Sequence, residues 1–124
     1  MSVKSKKVIV GHILGVLPVL ILFFSAYMKF NPNPEALAGM AKSGIPVHLL
    51  PKLGLLEILC TVLFLIPRTS VLGAILLTGY LGGAIFAHVR IEDAVGIQIV
   101  LGFLVWGSLF LKDERVRQLL PIKK

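Results

Sequence analysis

The chain has 124 residues, 56% of them hydrophobic and 15% charged, with a mean hydropathy of +0.92 and a formal net charge of +7. That length suits one domain spanning 1–124, and the apolar content lies outside the range of soluble proteins, so the composition reads as an integral membrane protein. The basic residues fall at the ends of apolar segments, which argues against nucleic acid as a partner, and the single cysteine, Cys60, excludes an internal disulfide or a two-thiol redox couple.

Four apolar segments, Val8–Met28, Leu49–Ile66, Val71–Val89 and Ala94–Leu111, approach the roughly 20 residues that a bilayer core requires. They predict an all-α membrane protein, a four-transmembrane-helix antiparallel bundle. Met1–Lys7 reads as a polar lead. The first segment is longer than the apolar part of a signal peptide, and Phe24-Ser25-Ala26 is a poor cleavage site, so it is expected to stay as a span. Gly11 and Gly15 have the small-xxx-small spacing that lets another helix approach closely. His12 reads as a headgroup or interhelical hydrogen bonder, and Pro18 should bend the helix. Ser25 and Lys29, four residues apart, share a face near its end.

The longest connection follows. Pro32 and Pro34 fix an extended start, and Glu35–Lys42 has a composition suited to a helix lying on the membrane surface. The second span enters through Pro51-Lys52 and stops at Pro67-Arg68, where Thr69 or Ser70 is expected to cap the next helix across a tight turn. The third carries Gly73, Gly79, Gly82 and Gly83, with Gly79 and Gly83 again spaced for helix packing, and is expected to be the central, most buried helix. Glu92 and Asp93 turn the chain into the fourth, which holds Gln98 one turn in and Trp106 near its end. With four spans both termini share a side, where nine of the thirteen Lys and Arg residues collect, which predicts cytoplasmic termini.

Glu57 stands inside this apolar frame. A carboxylate at the centre of a span costs roughly 2.5–3.5 kcal/mol on insertion scales, so it should face the interior and either be protonated or find a cation. At 1.5 Å per residue, Glu57 and Tyr80 each lie about 12–13 Å in from the same membrane side. Tyr80, Ala84 and His88 recur every four residues, and Ser25 and Gln98 lie about one turn in from that side. These positions predict an outward-opening polar pocket with Glu57 at its floor and Lys29, His88 and Arg90 at its mouth. The alternative is a purely structural staple, Glu57 bonded to Tyr80 or Lys29 to hold helices together. His48, His88, Glu92 and Asp93 lack a metal-ligand spacing, and there is no phosphate-binding glycine loop or nucleophile motif.

FSAYMKF at 24–30, LGLLEILC at 53–60, IPRTSVLGA at 66–74 and GYLGGAIFAHVR at 79–90 together make the chain resemble the DoxX-like family of small four-helix bacterial membrane proteins. The resemblance implies a place in the bacterial inner membrane and marks Lys29, Glu57, Pro67, Tyr80, Gly83, His88 and Arg90. Some relatives are subunits of quinone-linked oxidoreductases such as archaeal thiosulfate:quinone oxidoreductase, others accompany methylamine or thiol redox systems, and a distant animal branch assembles acetylcholine receptors. The expectation is therefore a non-catalytic membrane subunit or accessory factor that takes a quinone or another lipid-soluble ligand for a redox partner. Two alternatives stand beside it: an assembly factor without a small-molecule ligand, and an autonomous enzyme using Glu57 and His88 as acid and base. The glycine faces predict a homo-oligomer or association with other membrane proteins.

Overall fold

The computed structural model describes residues 3–124 and, among them, contains helices and no strand. Helix α1 spans Val3–Phe30, α2 Pro34–Ser43, α3 Leu50–Leu65, α4 Ser70–Val89, α5 Gly96–Lys112 and α6 Glu114–Leu119, with short 3₁₀ turns at Val47–Leu49 and Pro67–Thr69. The polar lead expected over 1–7 is helical from Val3 onward, and its first two residues lie outside the described ones. Helix α1 runs unbroken through Pro18, which is buried although it leaves the Leu14 carbonyl without its intrahelical donor.

Helices α1, α3, α4 and α5 form a ring in which α1 and α4 each touch α3 and α5 and face one another across the diagonal. Paired contacts give the directions. Ser25 meets Glu57 while Gly15 approaches Phe64, so α1 and α3 run opposite ways. Tyr80 meets Glu57 while Gly73 abuts Phe64, so α3 and α4 do the same. Leu22, Leu77 and Val105 fill the centre. Outside, Phe24 is 65% and Phe103 76% exposed, so large apolar side chains cover both faces of the helices, as hydrocarbon and not water demands. Three helical stretches, within 5–30, 47–65 and 67–89, are long and apolar enough to cross a bilayer, and the apolar α5 is shorter.

Local chemistry fixes the ends. Asn33 accepts the Ala36 amide at 2.8 Å, Pro34 opens α2, and Gly44 closes it at φ +76°, a conformation open to glycine. Between α3 and α4, Thr69 and Ser70 do not cap the following helix as the sequence suggests. Their hydroxyls instead donate to the Leu63 and Phe64 carbonyls at 2.8 and 2.7 Å, closing the end of α3. This folds α4 back so tightly that Gly73 packs directly on the Phe64 backbone. The short α6 has no counterpart among the expected elements. Asp113 caps it by accepting the Arg115 amide at 2.9 Å, and the Arg115 side-chain hydrogen bond holds the Asp113 carboxyl below the usual carboxylate range. Both are surface groups, so the pair adds little stability.

The glycine pairs part company. A β-carbon on Gly15 would lie 2.6 Å from Ser108 Oγ, which donates to the Gly11 carbonyl at 2.6 Å, so Gly11 and Gly15 are the seam between α1 and α5. Around Gly79 and Gly83 nothing lies within 4 Å, so they pack against no helix of this chain. Nor is α4 the most buried helix: five of its 20 residues are buried, against six of the 16 in α3. Its open side is where those glycines lie.

Candidate functional site

Glu57 is fully buried at 0% exposure, and the chain approaches it from two sides. In the last two turns of α1, Ser25 and Lys29 are stacked four residues apart, and a lysine at a helix C-terminus is favoured by the helix dipole. Gly54, one turn before Glu57, lets that end of α1 come close. A β-carbon there would lie 3.0 Å from the Phe30 ring and 3.2 Å from Lys29 Cβ. From the other side α4 brings Tyr80. Thr61 donates to the Glu57 carbonyl at 2.7 Å, so the backbone oxygen is satisfied as well.

The geometry is lopsided. Lys29 Nζ and Tyr80 Oη each donate to Glu57 Oε2 at 3.0 Å, and Ser25 Oγ donates to the same atom at 3.2 Å. Lys29 also donates to Ser25 Oγ at 2.9 Å and stands 5.8 Å from the Tyr80 ring centroid, within cation–π range. Three donors therefore fix one carboxylate oxygen. The other, Oε1, is buried and has no hydrogen-bond partner. A carboxylate can accept about four hydrogen bonds, and a buried acceptor left without any costs about 1–3 kcal/mol.

Of the residues expected around an outward-opening pocket, Ser25, Lys29, Glu57 and Tyr80 come together, but as a closed cluster with Glu57 at its buried centre, and His88, Arg90 and Gln98 do not join them. His88 Nδ1 donates to the carbonyl of Ala84 on its own helix at 2.7 Å. Four-residue steps advance about 400° on a helix turning every 3.6 residues, so two steps beyond Tyr80 the face has rotated by about 80°. Arg90 follows the end of α4 and is exposed. Gln98 is half-buried in the first turn of α5, and its Oε1 is a second buried acceptor with no partner. No group of three or more His, Cys, Asp or Glu among the described residues is placed to hold a metal.

Gly54 and Thr61 belong to the site without having been singled out. The Gly-x-x-Glu spacing held the first signal, since it puts the missing side chain on the carboxylate's own face. On the far side of α4, Trp106 Nε1 donates to Thr78 Oγ1 at 2.7 Å, a link between α4 and α5.

No curated protein and no solved structure matches the chain. The profile of the DoxX-like family matches residues 13–108, a stretch that contains Ser25, Lys29, Glu57 and Tyr80 together with all three long apolar stretches apart from the first turns of α1. With most of its length matched and its helices apolar on their outer faces, the chain is a membrane protein belonging to the DoxX-like family.

Proposed function

We propose that the protein is a non-catalytic membrane subunit that holds a lipid-soluble ligand bearing a hydroxyl donor, of the hydroquinone class, against Glu57 and presents it to a redox partner. One observation carries this reading: Glu57 Oε1 is a buried acceptor with no donor, on a carboxylate whose other oxygen is held by three. A hydroquinone O–H would supply what is missing. An oxidised quinone has only carbonyl acceptors and would not, so the preference is for the reduced form. The test is mass spectrometry of lipids extracted from protein purified in mild detergent. A hydroxyl-bearing isoprenoid should accompany the parent and be lost from Glu57→Leu, and lipid contents that are identical in the two would overturn the reading.

A second reading, an assembly factor, draws on the open face at Gly79 and Gly83, which suits close approach by a helix of another copy or of another membrane protein. Crosslinking in membranes before the same purification separates the two: monomer alone, with no partner protein, would eliminate it.

The reading includes four spans with both termini on the cytoplasmic side of a bacterial inner membrane. It is supported by the antiparallel ring, which gathers the start of α1, the α3–α4 turn and the end of α5 at the basic end. Helix α5 has 17 residues, about 26 Å of helix, so its flanking residues complete the crossing. In intact cells a cysteine introduced at the exposed Lys42, beside the buried Ser43, should react with a membrane-impermeant thiol reagent, and one at Lys124 only after permeabilisation. The reverse pattern would invert the topology.

A further inference from the structure

At the end of the bundle opposite Glu57, α1, the turn before α4 and the α5–α6 corner enclose a cleft of about 950 Å³. Phe64, Leu109 and Val116 line it and are buried, while Val16 and Leu65 line it and are also half exposed on the outer surface, at 53% and 49%. The cleft is thus open sideways toward the hydrocarbon that covers the helices.

Its wall is basic, and two of the cations are already engaged. Arg115 pairs with Asp113 at 3.2 Å, and Arg117 Nη1 donates to the carbonyls of Phe110 and Leu111 at 2.6 and 3.1 Å. Lys7, Arg68 and Lys112 also line the cleft, and none has a carboxylate within 4.0 Å among the described residues. The exposed Glu114 is the remaining carboxylate of the lining to set against these three.

Lys112 is held in place. A β-carbon on Gly11 would lie 2.6 Å from Lys112 Cγ, so the absent side chain of Gly11 makes the notch in which the lysine stem rests. The ammonium stands 5.5 Å from the centroid of the Phe64 ring, which stabilises a cation without neutralising it. A half-buried ammonium with an aromatic face and no counter-ion, in a cleft open to hydrocarbon, suits an amphiphile whose head is an anion. A soluble anion would leave the apolar floor unused.

We propose that this cleft binds an anionic phospholipid, with its phosphate between Lys112, Arg68 and Lys7 and an acyl chain along Val16 and Leu65. The experiment is native mass spectrometry of the full chain in detergent, titrated with phosphatidylglycerol, with phosphatidylcholine, and with glycerol phosphate as the chainless head. Phosphatidylglycerol should bind at least about fivefold more tightly than phosphatidylcholine, and Lys112→Met and Arg68→Gln should each weaken it about fivefold, the effect of one basic residue beside anionic lipid. Lys42→Gln, remote from the cleft, should bind like the parent. Arg68 is exposed in a turn, so its substitution reports on binding even where Lys112→Met unsettles the fold. Equal binding of the two lipids, parent-like affinity in both cleft variants, or competition by glycerol phosphate at concentrations equal to the lipid would each overturn the proposal.

Discussion

Replacing Lys29 by Met should destabilise the protein by about 3–5 kcal/mol, the cost of removing one partner from a buried ion pair. Lys29 Nζ lies 3.0 Å from Glu57 Oε2, and the two side chains are 22% and 1% exposed. Without the ammonium, Ser25 and Tyr80 would still donate to Oε2, but neither carries charge, and the carboxylate would be left as an uncompensated anion among apolar helices. Glu57→Gln removes the charge from the other end and strands the lysine instead. Removing both partners together is a different matter, because a buried pair exchanged for apolar groups of similar volume is often neutral or stabilising. Lys29→Met combined with Glu57→Leu should therefore recover most of what Lys29→Met loses. Thermal unfolding in detergent measures both effects. A Lys29→Met variant no less stable than Lys52→Met, a change at an exposed lysine, would show that the pair does not hold the bundle.

The second large effect is expected at Gly73. A β-carbon there would fall inside the van der Waals envelope of the Phe64 backbone nitrogen and lie 2.5 Å from its Cα and 2.7 Å from the Leu63 carbonyl carbon. These are backbone atoms of α3, clamped by the Thr69 and Ser70 hydroxyls, so nothing can swing aside as a side chain would. Gly73→Ala must push α3 and α4 apart, and overpacking of this kind costs about 1–3 kcal/mol or more. Gly83→Ala supplies the comparison. Its β-carbon meets nothing within 4 Å, so the change should be neutral or gain up to about 1 kcal/mol of helix propensity. If the two alanine variants melt alike, the approach of Gly73 to the Phe64 backbone does not limit how α3 and α4 pack.

The helices were legible because hydropathy and punctuation agree. The segment expected over Val71–Val89 is found at Ser70–Val89, bounded by Pro67-Arg68 on one side and Arg90 on the other. Helix α6 is harder to see, being short and polar, with Asp113 and Glu114 as its start signals and no apolar run behind them. Axial depth, computed from rise per residue, is enough to set Tyr80 level with Glu57. Rotation about the helix axis is not, which is why four-residue spacing puts His88 on the face of Tyr80 although its ring bonds back to its own helix. The glycines show the same limit. Spacing identified two candidate pairs, but which one faces a neighbour depends on the ring order, and Gly73, which belongs to neither pair, makes the closest approach of all.

Glu57 is bonded by α1 and by α4, the two helices that face each other across the ring, and the order of those bonds along the chain bears on biogenesis. During synthesis Ser25 and Lys29 leave the ribosome well before Glu57, and Tyr80 follows it. The cation therefore precedes the carboxylate along the chain, so α1 and α3 can match these charges before α4 joins them. Tyr80 then adds the last donor as α4 folds back across the Pro67–Thr69 turn. Had the acid preceded the base, the same cluster would have required an unpaired charge to wait in the membrane for its partner.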